Sequence, residues 1–175
     1  MGVLQASSRT LEITVISGEN FCVDRNPVTE NAYVVVRAES INCYTTGMAR
    51  EGDGYPSWNE KFSLDIPLQA RSVSFEVQCK MSTDAVRPVG VARIAISDFL
   101  AGSVPPEKLQ FLSYRLRNWD GRRNGIINFS VKVKAPEYSI PAMKPGKGTM
   151  LSSGMIELEV IGIPVVDKNS NEVAG

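Results

Sequence analysis

The side chains that could do chemistry in this chain of 175 residues are carboxylates, thiols and cations, because histidine is absent. Its absence removes histidine general bases, Ser-His and Cys-His nucleophile pairs, and every histidine metal site. Glu157 and Glu159 stand two apart, which on a strand points both the same way. Nothing else in the sequence makes them an acid/base pair, and solvated surface charge accounts for them. Cys22, Cys43 and Cys79 are few, odd in number and widely spaced. They read as free thiols, mostly buried, in a reducing compartment. With no glycine-rich phosphate loop and no Cys-x-x-Cys, the residues predict a protein that is not an enzyme.

Charge and composition bound what remains. Lysine plus arginine and aspartate plus glutamate number 19 each, so no global field draws the protein to nucleic acid or to anionic membrane. Membrane contact, if it occurs, has to come from a local patch. A hydrophobic content of 43% over this length suits one domain with extensions. Met1 to Ser8 carries no basic segment followed by an apolar run, and no later stretch suits a bilayer span, which predicts a cytosolic or nuclear protein. Gly2 follows Met1 as myristoylation requires, but Ala6 stands where serine or threonine is expected and Ser7 comes one place late.

The elements that must position any site read as strands. Leu11, Ile13 and Val15 alternate with Glu12 and Thr14, and a loop from Glu19 to Asn31 follows. Ala32 to Ala38 is rich in β-branched residues, and Cys43 to Ala49 is a weaker strand. Gly54 and Pro56 then turn the chain into a strand whose Trp58 and Phe62 share a face with Glu60 between them, the mark of a two-layer core. Val73 to Cys79, Val89 to Ile96, Gln110 to Arg117 and Gly125 to Val133 complete the set, with a helical turn at Ser97 to Leu100 capped by Ser97 or Asp98. This is an all-β pattern, an antiparallel sandwich of about eight strands.

The domain boundaries follow from composition. Residues 1–9 read as an N-terminal extension, 10–134 as the sandwich, 135–149 as a linker rich in proline, glycine, serine and lysine, and 150–175 as a tail. In the tail, Ile156 to Ile161 (Ile-Glu-Leu-Glu-Val-Ile) echoes Leu11 to Ile16 (Leu-Glu-Ile-Thr-Val-Ile). Chance recurrence of a strand pattern explains this, or else the tail forms a strand that pairs with an open sheet edge or marks the start of a second, truncated domain; open edges also make a strand-exchanged homo-oligomer an expectation to test.

Taken in succession, Leu11-Glu12-Ile13-Thr14-Val15-Ile16, the loop bearing Asp24, Asn31-Ala32-Tyr33-Val34, Pro56-Ser57-Trp58-Asn59-Glu60-x-Phe62 and the strand with Gly90 resemble a C2 domain over Thr10 to Lys134. Val23-Asp24-Arg25, Ser97-Asp98-Phe99, Phe111 to Arg117 and Gly125 to Val131 further resemble small plant C2 proteins, the BON-association proteins, which associate with the copine BONZAI. The resemblance implies peripheral attachment to phospholipid at the plasma membrane, a copine-type partner, and restraint of defence responses and programmed cell death. It does not follow from composition or spacing.

The resemblance also implies where calcium would sit. Asp24 matches a ligand position, and Asn31 stands where the family carries an aspartate. Counting back from Gly90, Cys79 and Met81 occupy the Asp-x-Asp positions, and Val86 and Arg87 fall where an acidic pair is common; Asp84 lies nearby, out of register. Calcium takes about six to eight oxygen ligands, so Asp24, Asn31 and Asp84 make at most a weak site. Lipid contact must then come from loop cations and apolar side chains: Arg25, Lys80, Arg87, Arg122 and Arg123, with Phe21, Met81 and Val86 as wedges. Arg115, Arg117, Lys132 and Lys134 alternate outward, as a basic sheet face or simply its solvent side.

Overall fold

The computed structural model describes residues 8–39, 42–100 and 105–135. All eight expected strands form: β1 (Ser8–Glu19), β4 (Ala32–Ala38), β5 (Cys43–Thr45), β7 (Tyr55–Pro67), β8 (Ser72–Lys80), β9 (Val86–Ala95), β10 (Gln110–Arg117) and β11 (Arg123–Val133). Three short pieces join them: β2 (Cys22–Val23), β3 (Asn26–Pro27) and β6 (Arg50–Gly52). β1 opens at Ser8, two residues into the expected extension, because Ser8 and Arg9 pair with Pro67 and Ile66. The fifth strand ends at Thr45 rather than Ala49, yet the next residues stay tied to β4, with Thr46 N–H on the Val34 carbonyl and Ala49 N–H on the Ala32 carbonyl. The expected linker beyond Ala135, the tail strand and Gly2 lie outside the described residues.

Nine strands form one antiparallel ladder in the order β5-β4-β8-β9-β10-β11-β1-β7-β6. It folds on itself, because β9 and β10 share a single pair, Val91 with Arg117. That close approach requires Gly90, where a Cβ would lie 2.9 Å from the Arg117 carbonyl oxygen. The two halves bury a common core in which Phe75 of β8 stacks on Phe129 of β11 at 4.3 Å and Phe99 meets Phe129 edge-on. Fully burying each such side chain stabilises the fold by about 1.5–3 kcal/mol, so the alternating apolar faces dictate the register.

At the open side of the sandwich β5 meets β7. Tyr44 stacks on Phe62 at 3.8 Å, and the Glu60 carboxylate accepts hydrogen bonds from the Tyr44 hydroxyl (2.6 Å) and the Gly47 N–H (2.9 Å). Trp58 Nε1 donates to the Ala32 carbonyl across the same gap (3.1 Å). Glu60 thus positions chain segments. The helical turn, α1 (Ile96–Leu100), starts one residue earlier than expected. Ser97 and Asp98 therefore lie inside it rather than capping it, and the Asp98 carboxylate accepts from the Tyr114 hydroxyl at 2.9 Å.

The outer face of β11-β1-β7 is not a free basic surface. Glu12 receives Lys61 at 2.9 Å, Lys132 at 3.3 Å and Lys134 at 3.3 Å, while Lys132 also meets Glu107 at 3.2 Å. The hydrogen bond from Lys61, aided by Lys132 and Lys134, outweighs the desolvation that opposes it and holds the Glu12 carboxyl down to about 2. Arg117 is likewise occupied, donating to the Gly121 carbonyl in its own turn at 2.9 Å.

Two outcomes follow for stability. Below the ordinary carboxylate value of 4.5 the unfolded chain protonates Glu12 while the folded chain keeps it ionised until about 2, so stability supplied by Glu12 is present above that window and is lost as pH falls through it. Urea midpoints measured across this range should fall less steeply in Glu12→Gln than in the wild type. The second concerns Gly125, whose φ is +83° and where a Cβ would run into the Glu19 carbonyl and lie 2.5 Å from the Phe21 ring. Gly125→Ala should lose about 1–3 kcal/mol, read as a lower urea midpoint with an unchanged slope.

Candidate functional site

Four connections gather at one end of the sandwich: Asn20 to Asn31, Thr46 to Gly54, Met81 to Ala85 and Asn118 to Arg122. The first is built as a β-hairpin. Asp24 and Arg25 both take left-handed conformations (φ 51° and 69°) between Cys22–Val23 and Asn26–Pro27, the two-residue turn whose twist suits flanking strands. This hairpin was not evident in the sequence, although Asp24-Arg25-Asn26 holds two residue types that tolerate positive φ. Its consequence is that the Asp24 and Arg25 side chains stand exposed at the tip of the hairpin.

The base of the hairpin is closed by Phe21. Phe21 is not a membrane wedge: it is 2% exposed, its ring lies 6.5 Å from Trp58, and a Cβ on Gly18 or Gly125 would collide with it. An apolar ring next to two glycines fills the space they leave, and that is why it turns inward. Met81 in the third connection and Val86 at the start of β9 do stand out, at 39% and 48% exposure.

The third connection is a closed turn. Met81 N–H donates to the Ala85 carbonyl and Asp84 N–H to the Met81 carbonyl, while Lys80 Nζ lies 2.9 Å from the Asp84 carboxylate. Asp24, Asn31, Cys79, Lys80 and Met81 line one shallow cleft of about 320 Å³ between the first and third loops. Asp24 and Asn31 come together there, but Asp84 spends its charge on Lys80 and does not line the cleft. The Asn31 carbonyl accepts the Lys80 N–H at 2.8 Å. Glu30 lines the cleft as well, but an ammonium and a thioether beside the two carboxylates of Asp24 and Glu30 are a poor donor set for a hard divalent cation that takes about six to eight oxygens. Among the described residues no group of three or more Cys, Asp or Glu could hold a metal ion.

Arg87 and Asp24 line a second cleft with Trp119, Asp120 and Asn124. Trp119 is the functional candidate that sequence reasoning missed. It is 75% exposed at the tip of the β10–β11 turn, which Asn118 organises by accepting the Asp120 and Arg122 N–H groups. The available signal was a tryptophan inside a predicted tight turn, where no core position exists to bury it. Arg122 and Arg123 are exposed at the same turn. Of the thiols, Cys79 is buried, Cys22 half-buried and Cys43 exposed, so fewer are hidden than expected; burial pushes the Cys79 thiol up.

Comparison with known proteins agrees with this architecture. The C2 domain family matches residues 9–111. The chain is 40% identical over 129 residues to BON1-associated protein 2 of Arabidopsis thaliana, covering 72% of this chain and 62% of that protein, so it spans under two thirds of its relative's length. Among solved structures, a C2 domain of plant extended synaptotagmin 1 superposes with a TM-score of 0.61 at 13% identity, covering 77% of this chain and all of that one. Human GIVD cytosolic phospholipase A2 does so at 0.58 and 15%, covering 75% of this chain and 18% of that one. Both show the fold alone. With the strand order, the loop end and the match over residues 9–111 in agreement, the chain belongs to the C2 domain family.

Proposed function

We propose that this chain is a non-enzymatic C2 adaptor that attaches peripherally to anionic phospholipid through its loop end and binds a copine-type partner. In this reading it acts at the cytoplasmic face of the plasma membrane and restrains defence responses and programmed cell death. The observation that carries the lipid part is the exposure of Met81, Val86 and Trp119 at the end that also presents Arg25 and Arg87. An aromatic ring and aliphatic side chains beside guanidinium groups suit the headgroup boundary, where rings partition and cations meet anionic lipid. The partner part rests on the 40% identity to a protein whose name records association with BON1. No helix among the described residues is long and apolar enough to cross a membrane, which is compatible with peripheral attachment.

A second reading, a calcium-independent protein-interaction scaffold without lipid binding, draws on the ion pairs. Lys80, Lys132 and Lys134 each face a carboxylate, so fewer cations are free for lipid than the sequence offers. Sedimentation with phosphatidylserine vesicles, in calcium and in chelator, separates the two. The adaptor reading expects binding in both conditions, and absence from the pellet in both would favour the scaffold. Met81→Asp combined with Trp119→Ala should weaken vesicle binding about tenfold or more, since each inserted side chain contributes on the order of 1 kcal/mol. For calcium, calorimetric titration should show no heat at micromolar concentrations. A micromolar dissociation constant would overturn the weak-site assignment of Asp24, Asn31 and Asp84.

A further inference from the structure

At the loop end one side-chain amide bonds to the backbone of two other segments at once. Asn124, near the start of β11, donates from Nδ2 to the Cys22 carbonyl at 2.8 Å and to the Val89 carbonyl at 2.7 Å, and its Oδ1 accepts the Cys22 N–H at 3.1 Å. Both amide hydrogens and the amide oxygen are therefore used on backbone groups of two other segments. One of these carries the Asp24–Arg25 tip; the other follows directly after Arg87 and Pro88. The pattern needs a group that both donates twice and accepts, which asparagine supplies and aspartate cannot.

Other contacts close the clamped loops on themselves. The Val28 N–H donates to the Phe21 carbonyl at 2.9 Å and closes the loop at its base. Phe21 lies buried under it against Gly18 and Gly125. The third loop is closed by its own backbone bonds and by the Lys80–Asp84 ion pair. Each loop is thus tied to the body of the sandwich by groups of the chain itself.

We propose that Asn124 is the positioning residue that sets the Asp24–Arg25 hairpin beside Arg87, so that the lipid-facing surface is assembled by an amide clamp and needs no divalent cation. Asn124 touches no lipid; it acts through Arg25. This rests on the lipid reading above for its binding consequence, but not for the clamp.

Two measurements on the full chain test it separately. Amide hydrogen exchange of Asn124→Ala should speed at Cys22 and Val28 by at least tenfold while Val34 and Val77 in the core strands keep their protection; unchanged exchange at Cys22 and Val28 overturns the clamp whether or not lipid binds. Asn124→Asp, which keeps the shape and the acceptor but sets a carboxylate against two carbonyl oxygens, serves as the second variant should the alanine form fold poorly. Binding to phosphatidylserine vesicles then reads the consequence through a double-mutant cycle with Arg25→Ala. If Asn124 positions Arg25, Arg25→Ala weakens the wild type severalfold but has little further effect in the Asn124 variant, and chelator changes neither. Independent, multiplying losses, or wild-type binding that requires calcium, would overturn the proposal. A wild type that does not bind vesicles at all, with hairpin exchange behaving as expected, removes the lipid reading and its consequence and leaves the clamp standing.

Discussion

The contact between Phe75 and Phe129, stacked 4.3 Å apart between the two layers and fully buried, is the constraint on which the rest depends. Neither layer can hide its apolar face alone, so the ladder must fold at its thinnest junction, the single Val91–Arg117 pair beside Gly90. Once the layers close on these rings, Phe99 and Tyr114 fall into place around Phe129, and the four connections of the loop end converge. The site is a consequence of core closure rather than a locally folded motif.

At the loop end and on the outer sheet face, charge is handled by pairing within the molecule. Glu12 gathers three lysines and Asp84 takes Lys80, while Arg117 caps its own turn. The most exposed of these pairs, Lys80–Asp84, contributes little stability and is screened by salt, whereas the Glu12 side chain is 14% exposed among its lysines. The pairs occupy those cations and leave Arg25, Arg87, Arg122 and Arg123, with the apolar Met81, Val86 and Trp119, as exposed side chains of the loop end.

Most strands were legible through a two-residue apolar period that suits a half-buried strand, as in Leu11, Ile13 and Val15, all fully buried, while Ala32 to Ala38 was legible through its β-branched run. Boundaries were less legible: Ser8 joins β1 because Pro67 lies opposite, a partner 59 positions away that no local pattern reveals. The inward turn of Phe21 was equally hidden. An aromatic residue in a polar loop resembles an exposed wedge until Gly18 and Gly125, over a hundred residues apart, are found to leave room for it on the same spot. Trp119 carried the opposite ambiguity, since a tryptophan is usually core and here stands out.

By itself, the sequence determined the fold class, the family resemblance, the exclusion of histidine chemistry and the scarcity of carboxylates at the aspartate positions around Met81, because residue types and short-range periodicity carry all of these. Only the tertiary structure decided which cations are already neutralised, which aromatic is core and which is surface, and that Asn124 bonds to Cys22 and Val89. Those are properties of pairs brought together by chain closure, 102 positions apart for Cys22 and Asn124 and further still for Glu12 and Lys134, and a hydrogen bond or an ion pair exists only at the few ångströms that closure creates.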